Sequence, residues 1–201
     1  VTPPGPAISV VPANAVSWTD LQTVLGTRGE PARCQCQRYK LRPREFFAGF
    51  PVAERADRLR AQTDPDRPGT AETTGLVAYL DGEPVGWCAV EPRTAYEGLL
   101  RNNRVPWVDR TEDKADSGVW AVTCFVTRVG YRKRGVSRAL ARAAVDHARE
   151  NGARAIEGYP MTTTSALLTE LHVGVHSVFV DAGFTEVSRP TPRRVVMRVD
   201  F

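Results

Sequence analysis

Lysine is nearly missing from this chain of 201 residues. Only Lys40, Lys114 and Lys133 are present, and arginine supplies the rest of the 27 basic side chains. Set against 23 acidic residues, these leave a net charge of only +4. So small an excess suits a phosphate-bearing ligand but does not argue for nucleic acid. No RNA-binding motif and no basic strand rich in aromatics is present either. Cysteine is sparse too. Cys34, Cys36, Cys88 and Cys124 are too few and too scattered to staple a chain this long. Cys34-x-Cys36 is not C-x-x-C and has no second close pair to complete a metal site, so the four read as reduced, partly buried thiols. No apolar run approaches the ~18 residues needed to span a bilayer. The first residues lack a basic stretch followed by an apolar one, so they do not read as a signal peptide. The expectation is a cytoplasmic protein with neither membrane nor nucleic acid as a partner. Its wealth of Arg, Ala and Pro suggests a GC-rich bacterial gene.

What remains is ordinary globular material, 42% hydrophobic and 25% charged. The length allows one sizeable core, so residues 1–201 are read as a single unit with a frayed end at 1–6. The most informative stretch runs from Trp120 to Pro160. Trp120 to Val126 are apolar or β-favouring, as in a buried strand. Next come Arg132-Lys133-Arg134-Gly135-Val136-Ser137, and then a helical pattern. Val136, Leu140, Ala144 and Ala148 form its apolar stripe, while Arg138, Arg142, Asp146 and Arg149 face the other way. Asn151-Gly152 stops this helix, and the run from Ala153 to Pro160 starts another strand.

The turn carries the chemistry. Gly135 lets the backbone approach a ligand, and the first N–H groups of a helix have no partner within it. Those donors and the helix dipole attract an anion, most naturally a phosphate or pyrophosphate. Two other phosphate loops are excluded. Gly130 and Gly135 have Walker A spacing, but Val136 stands where the lysine belongs, and G-x-G-x-x-G is absent.

Elsewhere, Ala7 to Val11 suggests a strand, and Trp18 to Leu25 a helix capped by Ser17. Cys34 to Tyr39 reads either as cleft lining or as corner filling. Pro51 to Gln62 is helical with its proline in the first turn, and Asp64 to Thr74 is a loop. Asp81-Gly82 between two apolar runs, Gly75–Leu80 and Glu83–Val90, signals a hairpin. Tyr96 to Asn102 makes one or two helical turns, and Arg104 to Gly118 a mobile loop. Met161 to Ser165 is a polar loop, and Ala166 to Asp181 a helix interrupted at Gly174. Phe184–Ser188 and Arg194–Val199 are strands joined by a turn holding Pro190 and Pro192. Periodicity alone establishes α/β.

Within this frame, YRKRGVSRAL resembles the acyl-CoA pyrophosphate loop of the GNAT superfamily of N-acyltransferases, whose pattern is Q/R-x-x-G-x-G/A. Ser137 replaces the usual Gly or Ala. Ala182-Gly183-Phe184 resembles the family's last helix-to-strand signature. GWCAVEPR, WAVTCF, IEGYP and VFVDAGF, in this order and spacing, are similar to a bacterial subgroup. The resemblance covers roughly Gly75 to Arg198. It implies a mixed sheet of about six or seven strands, splayed at its centre and flanked by helices. It also implies an N-acetyltransferase moving an acetyl group from acetyl-CoA to an amine of a small molecule or peptide, with no metal and with a homodimer as one assembly.

By the same resemblance, backbone groups of Phe125, Val126 and Thr127 pair with the pantetheine arm and polarise the thioester. The N–H groups from Arg132 through Lys133, Arg134, Gly135, Val136 and Ser137 to Arg138 hold the pyrophosphate. The family's usual tyrosine acid falls at Phe179, which has no proton to give, and its frequent asparagine at His172. Glu157 and Tyr159, two apart on a strand and so on one face, are the nearest substitutes, with His172 a third candidate for acid–base work. His172 and His176 have the i, i+4 spacing of a zinc pair but lack a third ligand. Glu91 and Arg93 stand either near the acceptor amine or in a surface ion pair. A silent acyl-CoA-binding domain is the alternative that Phe179 keeps open.

Overall fold

The computed structural model describes residues 7–69 and 73–201. The frayed end expected at 1–6, and part of the loop expected at 64–74, lie outside the described residues. One sheet of seven strands holds the chain together, in the order β1-β2-β3-β4-β5-β7-β6. The strands are β1 (Ile8–Pro12), β2 (Gly75–Leu80), β3 (Glu83–Pro92), β4 (Val119–Thr127), β5 (Ala155–Gly158), β6 (Thr185–Thr191) and β7 (Arg194–Asp200). Only β4 and β5 run parallel. The helix between them, α5 below, is the crossover such a pair requires. The helices are α1 (Trp18–Leu25), α2 (Gly29–Cys34), α3 (Val52–Thr63), α4 (Glu97–Asn102), α5 (Val136–Glu150), α6 (Leu168–Leu171) and α7 (His176–Val180).

Local signals account for much of this. Ser17 accepts a hydrogen bond from the Asp20 N–H at 3.1 Å and starts α1. Asp81 and Gly82 have φ of 52° and 82°, the paired positive values of the tight turn that matches strand twist. In α5 the expected stripe is buried: Val136, Leu140, Ala144 and Ala148 face the sheet, and Arg138, Arg142, Asp146 and Arg149 are exposed. Full burial of a residue such as Leu140 contributes on the order of 1.5–3 kcal/mol. Gly86 on β3 sets how close α5 comes. A Cβ there would lie 2.4 Å from Val136 Cγ1, so only glycine lets the first turn of α5 rest on the sheet.

The interruption expected at Gly174 is present: α6 and α7 are separate helices, with Gly174 at φ +87° between them. Three other expectations are corrected. His172 closes α6 and His176 opens α7, so the two imidazoles do not share a helix face. Pro190 lies inside β6 rather than in the turn. That strand is at the sheet edge, where a residue without an N–H is tolerated. Finally, Arg104 to Gly118 is tied down: Arg93 donates to the Asp113 carbonyl at 2.7 Å, and Arg110 and Glu112 join a buried ionic cluster.

Candidate active site

The centre of the sheet opens along β4. Its pairing with β5 covers only Val119–Val122 against Ala155–Gly158, yet β4 continues to Thr127 alongside β3. A register shift at Ala89/Val90 leaves Thr123 as the extra residue on β4, and a bulge of this kind bends the strand away from its neighbour. Beyond Val122, β4 therefore has an edge turned from β5. The Arg128 N–H donates to the Val85 carbonyl. By alternation Val126 also turns its backbone to β3, and Phe125 and Thr127 turn theirs to the open edge. Of the three residues expected to offer backbone groups there, Val126 is thus directed inward.

At the end of β4 the chain turns through Gly130 (φ 93°), Lys133 (φ 61°) and Gly135 (φ 85°) into α5. Gly135 is the N-cap and contributes no side-chain cap. The first helical bond runs from the Ala139 N–H to the Gly135 carbonyl. The N–H groups of Val136, Ser137 and Arg138 therefore have no partner in the helix. At Gly135 the positive φ, not crowding, demands glycine, since a Cβ would meet nothing nearer than 3.9 Å. A cleft of about 120 Å³ lies over this turn, lined by Thr127, Tyr131, Lys133, Gly135, Ser137 and Val178 among others. Pockets for whole drug-sized ligands run to ~300–1,000 Å³, so this one suits a single end of a long ligand. Arg132, Lys133 and Arg134 are exposed around it. The Arg134 guanidinium stacks over Tyr131 at 5.4 Å, and Arg138 is paired to Asp181. Orphan N–H groups, a positive helix end and exposed cations together fit a pyrophosphate.

The acid–base candidates lie in two groups. Glu157 is fully buried opposite Arg198 in the β5–β7 register. Its carboxylate accepts from Arg93 at 3.3 Å, from Arg198 at 2.9 Å and from Arg110. The Tyr159 hydroxyl donates to it at 3.2 Å, so residues 157 and 159 do share a face. Burial, and then the Glu157 charge, push the Tyr159 phenol well above its usual range. Glu112 bridges Arg93 and Arg198 on the outer side. Arg93 is therefore a buried cluster member rather than half of a surface pair. Glu91 pairs instead with the buried Lys40, which also donates to Thr74.

The second group stands where β4 leaves β5. The His172 carbonyl accepts the Phe125 N–H at 2.6 Å. The His172 Nδ1 lies 2.7 Å from the Thr169 carbonyl and must donate to it, which makes Nε2 the acceptor of the Tyr39 hydroxyl at 3.0 Å. The two rings stack at 5.8 Å. Burial first of all lowers the His172 pKa to about 4, so the ring is neutral near pH 7, and burial also raises the Tyr39 phenol. Phe179 is wholly buried, edge-on to Phe125 at 5.7 Å and to Phe184 at 5.0 Å.

Lys40 escaped sequence reasoning as a site residue, and Tyr39 is read there only as the end of a stretch that lines a cleft or fills a corner. The mixed stretch around Cys34–Tyr39 was the only signal, and nothing local joins it to residue 172. Close by, Cys36 and Cys124 are 3.7 Å apart, with the Trp87 Nε1–H donating to Cys36 at 3.0 Å. Among the described residues no group of three or more His, Cys, Asp or Glu is placed to hold a metal ion. No helix there is long and apolar enough to cross a membrane.

The sequence model of the acetyltransferase (GNAT) family matches residues 37–166. Comparison with curated protein sequences finds no match. Solved structures resemble the fold at low identity. An aminoglycoside acetyltransferase, AAC(6')-Ib, in complex with coenzyme A is 16% identical at a TM-score of 0.54, over 96% of this chain and 95% of that one. An N-acetyltransferase from Staphylococcus aureus Mu50 is 10% identical at 0.53, over 96% and 98%. The putative acetyltransferase yncA from Salmonella typhimurium, with its cofactor acetyl-CoA, is 13% identical at 0.51, over 96% and 94%.

Proposed function

Because the chain belongs to the acetyltransferase (GNAT) family, we propose that it moves an acetyl group from acetyl-CoA to a primary amine of a small molecule or peptide. One observation carries the reading: the uncapped start of α5, ringed by exposed cations, adjoins the open edge of β4. The N–H groups of Val136, Ser137 and Arg138, with the side chains of Arg132 and Lys133, hold the pyrophosphate. Phe125 and Thr127 pair with the pantetheine arm as a further strand would, and the Phe125 N–H polarises the thioester carbonyl. Holding both reactants on one edge supplies the orientation that aminolysis needs.

Glu157 and Tyr159 serve this site as its frame. With its lone pairs taken by three guanidinium groups and a phenol, and without exposure, Glu157 ties β5, β7, the end of β3 and the 110–112 segment together. The acid–base work falls to the group at His172. The cytoplasm supplies acetyl-CoA and keeps the four thiols reduced, and we place the protein there.

A silent acyl-CoA-binding domain is the second reading, favoured by Phe179, whose ring is core and offers no proton. Calorimetry with acetyl-CoA on wild type and Gly135→Trp, with thiol release followed over a panel of amines, separates the two. The transferase reading expects binding that the substitution abolishes, and thiol release that depends on an amine. Binding without release on any amine supports the silent domain, and absence of binding sinks both.

A further inference from the structure

His172 satisfies two donors at once. Its carbonyl takes the Phe125 N–H at 2.6 Å, and its Nε2 takes the Tyr39 O–H at 3.0 Å. Both donors meet at His172, just past the paired part of β4 and β5. Phe125 faces the open edge, and Tyr39 packs in a cluster with Tyr96, Ala121 of β4, Tyr159, Met161 and Val173. A thioester likewise presents two acceptors, a carbonyl oxygen and a sulfur.

Resting on the transferase reading above, the geometry points to Tyr39 as the catalytic acid that protonates the departing CoA thiolate, with His172 occupying its O–H, and the Phe125 N–H, in the free protein. The segment that must yield is short. Gly174 joins α6 to α7 at φ +87°, and Gly174 packs against the Phe125 and Phe179 rings, where a Cβ would lie 3.0 and 2.8 Å away. When His172 swings aside, the Phe125 N–H becomes available to the thioester carbonyl and the Tyr39 O–H to the sulfur. The amine nitrogen then forms its bond to the carbonyl carbon, and the carbon–sulfur bond breaks with its electron pair leaving on sulfur. The proton of Tyr39 passes to that sulfur, and the surplus proton on the new amide nitrogen replaces it on the phenol. Protons and electrons balance without a metal or a further reactant.

Tyr96 and Tyr159 pack in the same cluster as Tyr39. Tyr159 is committed to the Glu157 carboxylate, and of the three it is Tyr39 that bonds to His172, the residue covering the Phe125 N–H. Tyr39 is held by a neutral imidazole, a partner that can release it. Burial keeps its phenol protonated, as an acid requires.

The test needs no acceptor amine. CoA is bound to wild type, Tyr39→Phe and His172→Ala, and ionisation of the bound thiol is followed through the ultraviolet absorbance of the thiolate as pH is varied. A phenol that donates to the thiolate lowers the thiol's pKa, by about one unit for a single such hydrogen bond. The bound thiol should therefore ionise at lower pH on wild type than on Tyr39→Phe, which keeps the ring and its packing, while His172→Ala should titrate like wild type. Equal titration on wild type and Tyr39→Phe, both with CoA bound, overturns the assignment and leaves the transferase reading standing. A shift in His172→Ala as large as in Tyr39→Phe also overturns it, in favour of the imidazole. Failure of wild type to bind CoA overturns the reading beneath it, and this assignment falls with it.

Discussion

The ring of Phe179 lies so close to Gly158 that a Cβ at residue 158 would fall 2.0 Å from its Cε1 atom. Glycine is thus required on β5 because the aromatic of α7 is seated directly on the strand. The same ring meets Phe125 and Phe184 edge-on, so it fixes the segment beside the open edge of β4. Gly158→Ala should destabilise the fold by about 1–3 kcal/mol through overpacking, read as a lower urea midpoint.

The same geometry bears on the family's tyrosine. In Phe179→Tyr the added hydroxyl would sit on Cζ, against Gly158 of β5, in a site fully closed to solvent. Burying an unpartnered hydroxyl costs about 1–3 kcal/mol. The substitution should lower stability without accelerating thiol release from acetyl-CoA. Faster release would show instead that the family's acid position is still in reach of the sulfur.

Glu157 is the counter-ion of Arg93, Arg110 and Arg198. Glu157→Gln keeps the shape but leaves three guanidinium groups facing a neutral amide. Removing one partner of a buried pair costs about 3–5 kcal/mol. The expected result is a large drop in the denaturation midpoint, with acetyl-CoA affinity retained at temperatures where the variant is folded. A variant of undiminished stability that has lost turnover would return Glu157 to the chemistry as a base.

The turn before α5 separates strain from charge. Lys133 holds a left-handed conformation at φ 61°, a conformation that costs an L-residue roughly 1–2 kcal/mol. Lys133→Gly should therefore leave the fold within about 1 kcal/mol of wild type while weakening acetyl-CoA binding severalfold. The wild-type affinity should itself fall with added salt, because the cations at the turn are exposed and screened. Calorimetry at two ionic strengths checks both.

What could be read from the chain beforehand follows the range of the forces involved. The stripe Val136–Leu140–Ala144–Ala148, the Asp81-Gly82 turn and the Ser17 cap are local, and each is set by residues within a few positions. Gly135 was legible as a ligand turn for the same reason. The Glu157 cluster draws on the end of β3, the 110–112 segment, β5 and β7, and no periodicity reports such a convergence. Glu157 thus looked like a lone carboxylate in want of a task. Tyr39 and His172 are 133 positions apart, a separation that no local pattern spans, even though Gly174 marks the break beside His172. A helix would have carried His172 and His176 on one face; the break instead places the His172 carbonyl on Phe125.

Burial of the His172 ring also makes stability depend on pH in a defined window. His172 ordinarily titrates near 6.5, and in the fold burial lowers it to about 4. Between those values the unfolded chain binds a proton that the folded chain does not. The contribution of neutral His172 is therefore complete above about pH 6.5 and is lost as the pH falls towards 4. A shift of this size corresponds to on the order of 3 kcal/mol. Protonation puts a hydrogen on Nε2, which can then no longer accept from Tyr39. Carboxylates titrate over the same range, so the comparison should be with His172→Asn, which keeps the backbone carbonyl on Phe125 and removes the titration. Urea midpoints at pH 7 and pH 4.5 should fall more for wild type than for the variant. Equal losses would mean that the imidazole carries its charge in the fold as readily as in water, and that the neutral acceptor of Tyr39 is not what holds this segment in place.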